Sequence, residues 1–195
     1  MTRQRPVSPP GCRIVVIGPS NSGKSTVGRQ LATALDVPFI EMDALNWRPG
    51  WTPAPEEKFA AALDAATAGD KWVAAGSYRR VAHPIVWPRA DCIVWLDLPL
   101  RVVLPRLLRR SWRRWRTREL LWGTNTEQIW KHLKLWSMTD SLLAFQLRTH
   151  RPRRKRNEAD MADPRWSHIR FIRLRSPAAV EAFMRDVGAR TRTVK

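Results

Sequence analysis

The stretch that decides the fold is RIVVIGPSNSGKSTVGRQLATAL, residues 13–35. It opens on a β-branched run from Arg13 to Ile17, closed by Gly18, and such a run reads as a buried strand. Four residues separate Gly18 from Gly23-Lys24-Ser25, which completes a G-x4-G-K-S pattern whose glycines let backbone N–H groups turn inward around phosphates. Val27, Leu31, Ala34 and Leu35 recur at helical spacing, so a helix is expected from Lys24 to Leu35 with its positive end aimed at the same point. A glycine turn with an incidental lysine does not account for this strand-loop-helix context. Gly18, Ser20, Asn21, Ser22, Gly23, Lys24, Ser25 and Thr26 are therefore read as the cradle for the tail of ATP or GTP. Lys24 is expected to reach the β/γ phosphates, and the Ser25 hydroxyl to bind Mg²⁺.

Working outward, VPFIEMD (37–43) reads as a second strand running into an acidic loop. An Ala-rich helix is expected over 56–68, a third strand at KWVAAG (71–76) and a fourth at DCIVWLD (91–97). Arg101 to about Trp115 reads as helix with Pro105 limiting or kinking its start, and a long helix is expected from Thr126 to Leu147. Residues 149–167 read as a basic irregular loop, HIRFIRL (168–174) as a fifth strand, and SPAAVEAFMRDV (176–187) as a helix with Ser at the cap and Pro in its first turn. Strands alternating with helices imply a parallel sheet covered on both faces. The expected layout is a flexible tail over 1–11 and a single domain over 12–190.

The 195 residues suit one core, and 35 Lys+Arg against 17 Asp+Glu leave a net charge of +18. Such a field favours polyanionic partners without choosing among them. Two cysteines, Cys12 and Cys92, imply no disulfide framework. No run is long and apolar enough for a membrane span, so the expectation is a cytoplasmic protein with two reduced thiols.

A hydrolase needs a group that positions water, whereas a kinase needs an acceptor pocket and arginines that neutralise the transferring charge. Arginines are abundant in suitable places: GSYRR (76–80) leaves the third strand, Arg106 and Arg110 stand four apart on one helix, and SWRRWRTR (111–118) forms a dense Arg/Trp segment that reads as a lid over about 111–125. The runs IGPSNSGKST, MDALNWRPGW (42–51), KWVAAGSY (71–78), ADCIVWLDLP (90–99) and RLRSPAAVEAF (173–183) together resemble the adenylate-kinase-like P-loop proteins often labelled DNA topology modulation proteins, over about residues 13–187. The resemblance implies a three-layer P-loop fold of the nucleotide-kinase type, with a five-stranded parallel sheet in the order 2-3-1-4-5 and a basic helical lid. It implies that Arg79 holds an acceptor phosphate, that Arg106 and Arg110 form the pair at the base of the lid, and that Arg175, Ser176 and Pro177 lie near the adenine. Asp43 matches the position where related kinases hold the acceptor or a metal-bound water. The chain departs from the pattern where the relatives read D-G-N-Y, since it has Ala75-Gly76-Ser77-Tyr78. Asp97, at the end of the fourth strand, is a second candidate for the metal, with a turn-capping role as its plainer reading.

The remaining features divide between packing and binding. Trp72, Trp95, Trp130 and Trp136 read as core, while Trp47 and Trp51 bracket a proline turn and are candidates for a pocket wall. Trp112 and Trp115 alternate with arginines and either stack on bases or cover the base of the lid. The run Arg151, Arg153, Arg154, Lys155, Arg156 reads first as a solvated loop and second as a nonspecific nucleic-acid contact. His83, His132, His150 and His168 show no ligand spacing. The leading expectation is an ATP·Mg²⁺-dependent kinase acting on a small acceptor, with a nucleotide among the candidates. The alternative is a nucleic-acid-associated ATPase or regulator on the same fold.

Overall fold

A computed structural model describes residues 12–117, 120–121, 125–126 and 142–193. The elements that carry the site are β1 (Arg13–Ile17), α1 (Lys24–Leu35), β2 (Phe39–Glu41), α2 (Met42–Asn46), α3 (Glu56–Ala66), β3 (Trp72–Ala75) and α4 (Arg79–Ile85). They continue as β4 (Cys92–Leu96), α5 (Leu100–Thr117), α6 (Leu142–Ala162), β5 (Arg170–Leu174) and α7 (Pro177–Thr193). All five strands pair in parallel, in the order β2-β3-β1-β4-β5, the order expected.

Alternation along the strands explains the layering. Val15 and Ile17 of β1 face a core shared with Phe59 of α3 and Ala82 of α4. Ile14 and Val16 face the opposite core, with Val27 and Leu31 of α1 and Phe183 and Val187 of α7. A parallel sheet wrapped on both sides needs strands that are apolar throughout, and β4, Cys-Ile-Val-Trp-Leu, is buried at every position. Trp72 and Trp95 are core residues at 1% and 2% exposure. α1 stops at Asp36, whose left-handed backbone (φ 55°) lets its N–H reach the Ala32 and Thr33 carbonyls.

Three sequence expectations change. The second strand ends at Glu41, and Asp43 lies in the first turn of α2 rather than in a loop. The reason is Met42, fully buried against Gly76 where a side chain would collide with it, so the chain turns inward early. The basic stretch 149–167 is not an irregular loop: α6 runs unbroken to Ala162, through Pro152, before a short 3-10 turn at Pro164–Trp166. Its buried side chains include Gln146 and Asp160, so the apolar periodicity that marks most helices is missing. The long helix expected from Thr126 to Leu147 changes at both ends: Thr126 lies in a short strand, Asn125–Thr126, antiparallel to Leu120–Leu121, and the described helix runs from Leu142 past Leu147 to Ala162. α5 likewise runs from Leu100 to Thr117 with Pro105 inside it. The tail 1–11, Trp130, His132, Trp136 and much of the lid lie outside the described residues.

Both cysteines are free, Cys12 exposed and Cys92 buried. Among the described residues, no helix is long and apolar enough to cross a membrane.

Candidate active site

The phosphate loop leaves β1 at the carboxyl edge of the sheet. Ser77, just past β3, anchors its start: the Gly18 N–H donates to Ser77 Oγ at 3.2 Å, and that hydroxyl donates to the Gly18 carbonyl at 3.0 Å. Gly23 caps α1 in a left-handed conformation (φ 95°), with no side chain bonded to the helix end. That leaves the first-turn N–H groups of α1 available to an anion. Lys24 Nζ donates to the Pro19 carbonyl at 3.0 Å. Burial pushes its pKa down to about 8; Arg153 and Arg110 push the same way, while Asp43 and Glu41 oppose them.

Asn21 Oδ1 and Nδ2, Ser22 Oγ and Gln146 Oε1 are buried without a hydrogen-bond partner among the described residues. Buried polar atoms are ordinarily paired, so a loop that keeps several open fits a polar occupant such as a hydrated phosphate chain. Asp43 and Glu41 both lie near enough to act on Lys24, next to Ser25 in sequence, and oxygen groups of this kind suit a hard cation. Among the described residues no group of three His, Cys, Asp or Glu converges on one point.

Asp43 Oδ1 accepts a 2.6 Å hydrogen bond from the Tyr78 hydroxyl. Burial, and next the Asp43 charge, push the Tyr78 phenol well above its ordinary value, so it stays a donor. Glu41 is the cross-strand partner of Ala75. A carboxylate is thus present beside Ala75, and Arg29 pairs with it at 3.0 Å.

A cavity of about 220 Å³ opens between the loop, the end of β3, α4 and α6. Its floor is apolar, from Val15, Ile17, Trp87 and Trp95, and its rim is cationic, from Arg79, Arg153, Arg154 and Arg156. Arg79 is gripped by the buried carboxylate of Asp160, with Nη2 at 2.7 Å from Oδ1 and Nη1 on Oδ2. His83 stacks on Trp87 at 3.8 Å and lies 3.7 Å from Asp160. Burial first, and Arg79 next, push its pKa down, so it is neutral near pH 7. Arg153 lies over the Phe145 ring at 4.7 Å, and burial lowers its pKa as well.

The other expected residues fall as follows. Arg106 is exposed and Arg110 half-buried on α5, and Arg110 is near enough to act on Lys24. Ser176 Oγ accepts the Ala179 N–H at 3.1 Å, the expected helix cap, ahead of Pro177. Asp97 is only 6% exposed, and its Oδ2 accepts from Arg173 Nε at 2.9 Å, with Arg154 at 3.3 Å and Arg175 at 3.8 Å. A cation reaching that oxygen would have to displace guanidinium groups. Trp47 and Trp51 meet edge to face at 5.7 Å and are absent from the cavity lining. Trp112 and Trp115 are 56% and 40% exposed, their rings 5.2 Å apart. The structure also brings Tyr78, His83 and Arg153 to the cavity, Asp160 onto Arg79, Gln146 onto Ser20 and Glu41 beside Ala75, and of these the sequence singles out only Arg153, as a basic-surface residue. The one local signal was the Glu-x-Asp spacing of Glu41 and Asp43.

The sheet order, with a phosphate loop between β1 and α1, defines an α/β P-loop domain of the nucleotide-kinase type. The chain matches the family model "ATPase family associated with various cellular activities (AAA)" over residues 14–97. It is 35% identical over 112 residues to a shikimate kinase of Nitratidesulfovibrio vulgaris, covering 50% of this chain and 64% of that protein. It is 60% identical over 30 residues to a shikimate kinase of Thioalkalivibrio sulfidiphilus, covering 15% of this chain and 16% of that one. The chain thus spans less than two thirds of each of these relatives. Among solved structures, a gluconokinase from Sinorhizobium meliloti superposes with TM-score 0.52 at 21% identity, over 96% of this chain and 95% of that one. This last likeness bears on the fold.

Proposed function

We propose that the chain is an ATP-dependent phosphotransferase whose acceptor is a small hydroxylated acid. The observation that carries this reading is the cavity rimmed by Arg79, Arg153 and Arg154 over an apolar floor, opening beside the phosphate loop. Arginine forks favour carboxylate or phosphate, and the volume suits a small molecule. The similarity to shikimate kinases points the same way.

In this reading Lys24 and the α1 N-terminus hold the phosphate tail, and Arg106 and Arg110 neutralise charge that develops during transfer. Arg175, Ser176 and Pro177 border the base. Asp43 takes the proton from the acceptor hydroxyl as general base, kept in place by Tyr78. Arg79 and Arg153 bind the anionic group of the acceptor. Mg²⁺, when bound, spreads the phosphate charge, with Ser25 as its protein ligand and Asp43 and Glu41 as oxygen donors beside it. Asp97 serves the arginine cluster instead.

The test is transfer from labelled ATP to shikimate, gluconate and mononucleotides, with single-stranded and duplex DNA as controls. Phosphorylation of a hydroxy acid is expected. Hydrolysis stimulated only by DNA would overturn the reading.

A further inference from the structure

α6 is tied to the phosphate loop by one side chain. Gln146 is fully buried, and its Nε2 donates a 2.7 Å hydrogen bond to the Ser20 carbonyl, 126 residues away in sequence. That acceptor settles which end of the amide faces the loop. The other end, Oε1, is buried with no partner among the described residues. A half-paired buried amide costs stability, so packing is a poor reason to have Gln here when Leu or Met would fill the same space.

The loop itself supplies a reason. Phosphate is bound by N–H groups that must point inward, which requires the intervening carbonyls to point away. The Ser20 carbonyl sits in the middle of that turn, and its bond to Gln146 fixes the direction it takes. The same helix bears Arg153 on the cavity and Asp160 on Arg79, so the loop is braced against the acceptor wall.

We infer that Gln146 is a positioning residue for nucleotide binding, orienting the phosphate loop through the Ser20 carbonyl. This rests on the nucleotide-binding part of the proposed function and not on the identity of the acceptor. The experiment compares wild type with Gln146→Leu and Gln146→Met in the full chain, by calorimetric titration of ATP and of inorganic tripolyphosphate, alongside thermal melting. The expected result is affinity weakened about fivefold to tenfold for both probes, the worth of one hydrogen bond, with a melting temperature equal to or above wild type. Affinity within twofold of wild type for both variants overturns the inference. So does a loss confined to ATP, which would place the effect at the nucleoside, and so does a loss that tracks a fall in melting temperature in both variants. Wild-type protein that binds neither probe removes the nucleotide-binding reading itself, and the inference with it.

Discussion

The Tyr78 hydroxyl donates a 2.6 Å hydrogen bond to Asp43 Oδ1, joining the segment after β3 to the first turn of α2. If Asp43 is the general base, Asp43→Asn is expected to slow transfer by about 10² to 10⁴, the usual range for a positioned acid or base, with ATP affinity nearly unchanged. Tyr78→Phe keeps the base but frees it, so a loss of about tenfold is expected, the rate equivalent of roughly 1.4 kcal/mol. Turnover and ATP binding on both variants decide the matter; near-normal turnover of Asp43→Asn removes the assignment.

Lys24 yields a pH prediction of opposite sign for binding and for stability. Its pKa is lowered from 10.5 to about 8 by burial. Phosphate binds the ammonium form, so ATP affinity should fall as pH rises through about 8, by up to about tenfold per unit. The unfolded chain keeps this proton up to about 10.5 while the nucleotide-free fold has released it. In that window the unfolded state holds more protons, so this residue's contribution to stability rises with pH. Melting of wild type against Lys24→Met from pH 7.5 to 10 should show the difference moving in favour of wild type. A flat difference contradicts the shift.

Gly76, just past β3, packs against Met42 at the start of α2. A Cβ there would stand 2.6 Å from both Cβ and Sδ of the buried Met42. Gly76→Ala is expected to cost about 1–3 kcal/mol through overpacking and to slow transfer by shifting Asp43, the next residue along. ATP affinity should hold. Denaturant unfolding and turnover measured on one preparation test both halves.

Glu41→Gln separates the two acids at the end of β2. The Glu41–Arg29 pair is largely exposed on the arginine side, and pairs of this kind contribute little stability, so the melting point should barely move. The Mg²⁺ concentration for half-maximal turnover should rise about tenfold if Glu41 stands in for the acid absent at Ala75. An unchanged Mg²⁺ requirement would leave Asp43 as the sole carboxylate acting there.

Asp97→Asn should act through the fold. Its carboxylate is buried among Arg173, Arg154 and Arg175, and neutralising it leaves their charge less compensated. A loss of about 1–3 kcal/mol is expected, with little change in the dependence of turnover on Mg²⁺. A stable variant that no longer responds to Mg²⁺ would return the metal to β4.

Residues 13–35 determined the heart of the fold by themselves. A β-branched run, a glycine loop and an amphipathic helix are all set by near neighbours, and α1 begins and ends at the residues its spacing implied. Strand order followed from the resemblance, and the parallel sheet from alternation of elements. What only the tertiary structure decided is how charges pair across the chain. The run Arg151 to Arg156 reads as a solvated loop because it carries five basic residues with no apolar periodicity; locally it has, among the described residues, only the Arg154–Glu158 pair at 3.5 Å. In the fold it lies on α6, which turns Arg153 and Arg154 into the cavity while Asp160 grips Arg79, 81 residues away. Asp97 reads in sequence as a turn cap or a second metal candidate, and β5 and α6 bring guanidinium groups to it. Hydrophobic periodicity records burial against apolar neighbours. A helix whose buried contacts are amide and carboxylate leaves no such trace, and its partners exist only once the strands have met.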